Sequence, residues 1–150
     1  MEIQAAVCRE KGSFALEQVD LSEPQADEVV VKIVACGMCH TDLAVRDQHL
    51  PLPLPAVLGH EGAGIVVKVG SGVSKFKAGD HVVLSYGHCG KCSNCLAGRP
   101  AYCAEFLAYN VGTRRPDGSC THQQHGKPLT GRSSTSLPSQ PMLSRTCATS

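Results

Sequence analysis

Tryptophan is absent from this chain, and aromatic residues of every kind make up only 4% of it. A core built on large rings is therefore excluded, and any interior has to come from aliphatic side chains, within an apolar content of 42%. An excess of either charge is also missing. The formal net charge is +1, which leaves no electrostatic footprint for nucleic acid or for an anionic membrane surface. No apolar run approaches the ~20 residues that a membrane-spanning helix needs. The opening MEIQAAVCREKG has no apolar segment of the kind that marks a secretory signal. The expected setting is cytoplasmic, with neither nucleic acid nor membrane as a partner.

Turn-formers and thiols are plentiful. Fifteen glycines and nine prolines favour short strands and many turns over long helices. Nine cysteines would suit a disulfide scaffold in a secreted protein, but without a leader they read better as metal ligands.

Residues 3–7 and 14–19 are short alternating runs around Lys11-Gly12-Ser13, the pattern of a hairpin. Residues 29–34, VVVKIV, form the strongest strand signal and are expected to be buried on both faces. Residues 43–47 allow one or two helical turns. Pro51, Pro53 and Pro55 then force extended backbone. Further apolar runs at 57–61, 65–69 and 82–85, separated by glycine turns, point to an all-β barrel or sandwich. Near Asp117 the composition changes. No acidic residue follows Asp117, no valine follows Val111, and residues 133–150 are rich in Ser, Thr and Pro. Such a segment buries too little apolar surface to offset its ordering entropy, so residues 119–150 are expected to be disordered.

The most informative stretch is HCGKCSNCLAGRPAYC, with Cys89, Cys92, Cys95 and Cys103 spaced C-x2-C-x2-C-x7-C. Four thiolates close a tetrahedral shell around zinc and leave no open position, which makes a structural site. Free cysteines, disulfides or an iron–sulfur cluster are the alternatives, although iron–sulfur runs usually close with a shorter third gap and a following proline. A second set comprises Cys39 and His60, each just after a predicted strand. Two protein donors would leave a zinc open, as catalytic zinc is, and Asp42 and Glu61 could orient or tune them. A buried thiol and a merely hydrogen-bonded histidine explain the same residues as well. Cys8 reads as a core thiol, Cys36 as packing at the end of its strand, and His81 as a turn residue. His122 and His125 read as solvated polar residues.

Taken in order, GMCHTD (37–42), GHEGAG (59–64), GDHV (79–82) and the four-cysteine loop resemble the zinc-dependent medium-chain alcohol dehydrogenases. CLAGRPAYC and GTRRPDGS are most similar to the aryl (benzyl) alcohol branch. The resemblance implies a mainly β fold: a GroES-like β-barrel over residues 1–118, a structural-zinc lobe at 87–105 and a disordered C-terminal tail. It implies Cys39 and His60 as catalytic-zinc ligands, and Cys89, Cys92, Cys95 and Cys103 as structural-zinc ligands. Thr41 would start a proton relay, His40 would lie toward the cofactor pyrophosphate, Asp42 would orient His60, and Glu61 would sit beside the zinc. The reaction implied is reversible oxidation of an alcohol, an aromatic primary one by the branch, to an aldehyde by hydride transfer to NAD(P).

Three departures are visible. The family's third catalytic-zinc ligand is a cysteine beyond the four-cysteine loop, for which Cys120 and Cys147 qualify only by type. No Gly-x-Gly-x-x-Gly opens a βαβ unit, so a dinucleotide-binding domain is not expected within these residues. Position 44 is Ala, where some members carry a relay histidine. Turnover by this chain alone is not expected, and a non-catalytic zinc-binding fragment or interaction module is the competing function. Self-association through an exposed domain interface is a further expectation. Ser133–Ser139, SSTSLPS, is what a one-nucleotide slip of codons for FFHQSSFA would give, so an out-of-frame tail is expected.

Overall fold

The computed structural model describes residues 1–112, 114–115 and 117–131, together with the backbone of Met142 and Leu143. Among the described residues nine strands form two curled sheets, accompanied by three short α-helices.

In the first sheet, β1 (Glu2–Cys8) and β2 (Ala15–Leu21) form the expected antiparallel hairpin. β4 (Ala56–Val57) flanks β1, while β7 (His122–Gln124) and β8 (Lys127–Leu129) extend the sheet from β2, giving the order β4-β1-β2-β7-β8. Alternation along β1 and β2 sends Ala5, Val7 and Val19 into one aliphatic cluster with Leu129.

The second sheet is built on β3 (Glu28–Gly37) and β5 (Glu61–Val69), flanked by β6 (His81–Val83) and, in parallel, by β9 (Met142–Leu143). Val29, Val31, Ile33, Val66 and Leu84 make its core. The expectation that 29–34 is buried on both faces holds only for its first three residues. Lys32 is exposed and Val34 is 65% exposed. The β3–β5 register slips between Val30 and Val31 and again between Ile33 and Ala35. Such bulges re-aim side chains and curl the sheet, which is why Val34 and Val67 face outward.

Between β3 and β4 in the chain, α1 (His40–Arg46) starts three residues earlier than its apolar pattern suggests. The following LPLPLPA stretch alternates with period two. Leu50, Leu52 and Leu54 pack with Val45, Cys8, Ala56 and Leu58, while Pro51 and Pro53 stay exposed. Cys8 is a core thiol as expected, wholly buried. Cys36 is exposed and disulfide-bonded rather than packed under its strand. His81 begins β6 instead of lying in the turn.

The expected tail needs a larger correction. Residues 119–131 are part of the fold. β7 pairs with β2 and β8 with β7. His122, read from sequence as solvated, has 0% exposure, whereas His125 at the hairpin turn is exposed. The segment is tied down by Arg115, whose guanidinium donates to both carboxylate oxygens of Glu28 at 2.6 and 2.5 Å with both side chains 5% exposed. Apart from Met142 and Leu143, the rest of the expected disordered tail, including the SSTSLPS stretch and Cys147, lies outside the described residues. Among the described residues no helix is long and apolar enough to cross a membrane.

Candidate metal centres

Two clusters of metal-ligating side chains occur among the described residues, and they are the two that the sequence separates.

The first lies in the excursion after β6. α2 (Ser93–Leu96) carries Cys95 in its last turn, and a 3-10 turn (Pro100–Tyr102) leads into Cys103. Gly98, at φ 71°, takes the left-handed conformation that ends α2, its N–H bonding the Cys95 carbonyl at 3.0 Å. The thiols of Cys89, Cys92, Cys95 and Cys103 gather with all sulfurs within 4.8 Å of one another. Cys92 Sγ lies 3.5 Å from Cys95 Sγ, and Cys89 Sγ lies 4.0 Å from it. Zinc–sulfur bonds of about 2.3 Å in a tetrahedron set sulfurs about 3.8 Å apart, between these two values. Backbone amides already point at the sulfurs: Cys89 N donates to Cys103 Sγ at 3.1 Å and Cys92 N to Cys89 Sγ at 3.2 Å.

The proton affinities of these thiols point the same way. N–H donation from Ala104 and Cys95 lowers the Cys92 thiol to about 6. Burial, then the hydrogen bond to Cys92, pushes Cys95 up to about 12. Crowded sulfurs cannot all ionise alone, and a dication in their midst is what makes four thiolates compatible. The donor set therefore fits a closed tetrahedral metal.

The second cluster joins two loops. Cys39 is the N-cap of α1, and Asp42 is the third residue inside it. Asp42 Oδ2 accepts from the Cys39 N–H at 3.1 Å, closing a capping box. Its other oxygen, Oδ1, accepts from Gly59 N at 3.1 Å and lies 3.1 Å from His60 Nδ1. One carboxylate thus caps the helix and docks it on the loop that carries the histidine. With Nδ1 engaged by Asp42, Nε2 is the nitrogen left for an ion. The Cys39 sulfur, a His60 ring nitrogen and a Glu61 carboxylate oxygen lie within 4.8 Å of one another. Glu61 begins β5 and lies over Gly37, where a Cβ would collide with its carboxylate.

Charge in this cluster is redistributed strongly. The hydrogen bond to Asp42 raises His60 to about 9, against the opposing effect of burial. Burial pushes Asp42 up, but its bonds to His60, Cys39 N and Gly59 N outweigh it and leave the carboxyl below its usual range. The Thr41 N–H and hydroxyl, then His60, lower the Cys39 thiol. A thiolate and an imidazole aimed at one point suit a borderline-soft cation such as zinc, with a position left open.

The other sequence-derived residues fall around this point. Thr41 is exposed, with its hydroxyl 3.6 Å from Cys39 Sγ. His40 is exposed on the first turn of α1. Cys120 belongs to neither cluster.

A cavity of about 300 Å³ opens beside His60, Asp42 and Thr41. Val45, Leu50, Leu52, Val57 and Leu58 form one wall. Tyr86 and, from α3 (Phe106–Asn110) and the residue after it, Phe106, Tyr109, Asn110 and Val111 form the other. The rings of Tyr86 and Phe106 meet at 5.8 Å between centroids, tilted by 53°. This aromatic wall escaped the sequence reading. The signal was available: the chain has three Phe and three Tyr, and four of those six fall between positions 86 and 109 in a chain otherwise almost free of rings.

Residues 25–127 match the alcohol dehydrogenase GroES-like domain. The chain is 48% identical over 128 residues to geraniol dehydrogenase of Castellaniella defragrans, covering 84% of the chain and 34% of that enzyme. The structure of an alcohol dehydrogenase zinc-binding domain protein from Burkholderia ambifaria superposes with TM-score 0.84 at 50% identity, over 87% of this chain and 36% of that one. Benzyl alcohol dehydrogenase from Acinetobacter calcoaceticus gives TM-score 0.79 at 51% identity, over 85% and 35%. The chain spans about a third of the length of these relatives.

Proposed function

Because the chain belongs to the alcohol dehydrogenase GroES-like domain family, we propose that it carries the metal-binding, alcohol-seating portion of a medium-chain alcohol dehydrogenase. The observation that carries this reading is the convergence of Cys39, His60 and Glu61, with His60, held by Asp42, also lining a largely apolar cavity. Bound zinc would supply Lewis acidity toward the alcohol, and a nicotinamide, NAD or NADP, would accept the hydride.

Cys39 and His60 would hold the catalytic ion, with Glu61 beside it. Asp42 fixes the imidazole and stabilises its engaged nitrogen. Thr41, at the cavity mouth, would take the alcohol proton and pass it to water, since Ala44 offers no base. His40, exposed on the helix start, would face a cofactor pyrophosphate. The aliphatic and aromatic walls would exclude water and seat the body of an aromatic primary alcohol. Cys89, Cys92, Cys95 and Cys103 would hold a second, structural zinc. A cytoplasmic setting would keep the ligand thiols of both sites reduced, although Cys36 is itself disulfide-bonded.

A second reading, a zinc-binding module without turnover, is favoured by the four-sulfur cluster, whose closed shell needs no substrate. Metal analysis after cobalt substitution tests the first reading. Two ions per chain are expected, one of them lost in Cys39→Ser. A single ion per chain, unaffected by that substitution, would overturn it. Benzyl alcohol with NAD is expected to give no appreciable aldehyde with the 150-residue chain alone.

A further inference from the structure

The two segments of chain that enter and leave the four-cysteine cluster also build the aromatic wall of the cavity. Tyr86 stands three residues before Cys89, and Phe106 three residues after Cys103. Proximity in sequence does not by itself hold the two segments at a fixed separation. One side chain does. Asn110 Oδ1 accepts from Gly87 N at 2.8 Å, and its Nδ2 donates to Gly87 O at 2.8 Å and to Phe106 O at 2.8 Å. The carboxamide thus pairs with the peptide of Gly87 in both directions, as a neighbouring strand would. It also closes on the first residue of its own helix. Three of the four hydrogen bonds a carboxamide can make are used. Gly87 is buried and Asn110 half-buried at the cavity wall, so water competes poorly for these groups.

We infer that Asn110 is a positioning residue for the cavity: by tying Gly87 to Phe106 it sets the spacing of the Tyr86 and Phe106 rings and so the shape of the wall opposite Leu50 and Leu52. The inference rests on reading that cavity as the alcohol's seat. Asn110 does not touch the candidate ligands, and it acts through Tyr86 and Phe106.

The test compares the full chain with Asn110→Leu, close in shape but unable to make the three bonds, and with Asn94→Ala. Asn94 makes another side-chain tie in the cysteine lobe, to Tyr102 O at 2.7 Å, and is absent from the cavity wall. The probe is benzyl alcohol, followed by NMR shifts of the Tyr and Phe ring protons, together with the Tyr86–Phe106 ring-to-ring NOE. Asn110→Leu is expected to weaken probe binding about tenfold and abolish the NOE, while zinc content is unchanged. Asn94→Ala is expected to leave both readouts as they are. Equal binding in wild type and Asn110→Leu, no binding by either, or an equal loss in Asn94→Ala would overturn the inference. The Proposed function stands or falls separately, on the cobalt spectrum of the Cys39 and His60 site.

Discussion

Asp42 Oδ1 lies 3.1 Å from His60 Nδ1, while the second oxygen of the same carboxylate caps the helix that begins after Cys39. The two candidate ligands come from loops 21 positions apart in sequence, and this carboxylate fixes one to the other. Replacing it by Ala is expected to weaken cobalt or zinc binding at Cys39 and His60 by roughly 10- to 100-fold. The four-cysteine site should be untouched. Competitive chelator titration, read at the cobalt–thiolate bands, measures both sites in one experiment.

The buried pair of Arg115 and Glu28 should be intolerant of single changes. Arg115→Met leaves a carboxylate 5% exposed without its cation, and the expected loss is about 3–5 kcal/mol in urea unfolding. The double variant Arg115→Met, Glu28→Leu should recover most of that loss, because the uncompensated charge is gone. A double variant as unstable as the single one would show that the geometry of the pair, rather than its charge, matters.

Stability should fall on the acid side through His122. Burial holds its pKa down to about 4, from an ordinary 6.5. As pH drops through 6.5 the unfolded chain takes up a proton that the folded chain refuses until about pH 4. Stability present above pH 6.5 is therefore lost across that window, on the order of 3 kcal/mol. His122→Gln should flatten this part of the urea-midpoint profile relative to the parent.

The outward-facing valines at the bulge and sheet edge, Val34 at 65% and Val83 at 75% exposure, should promote association of the isolated chain. Sedimentation velocity at rising concentration is expected to show species larger than a monomer. Val34→Lys with Val83→Thr should shift the distribution back to monomer.

The cysteine spacing and the CHTD and GHE stretches were readable because metal chemistry constrains donor type and spacing within a few residues. The β1–β2 hairpin was readable because its turn is local. Val34 was misread because a bulge depends on the partner strand, which a run of valines does not reveal. His122 was misread because a polar, glycine-containing segment looks unable to order itself. It is ordered here by β2 and by Glu28, both about a hundred positions away. The aromatic wall was missed because its members meet only after the cysteine lobe folds back.

The pairing of β7 with β2 has a consequence for biosynthesis. The first two strands can zip together soon after they leave the ribosome, yet one side of β2 has no neighbour until roughly another hundred residues have been translated. At ~5–20 residues per second that is a delay of many seconds with an open strand edge. During it, a chaperone or another nascent copy could occupy the position meant for Gln123 and His122.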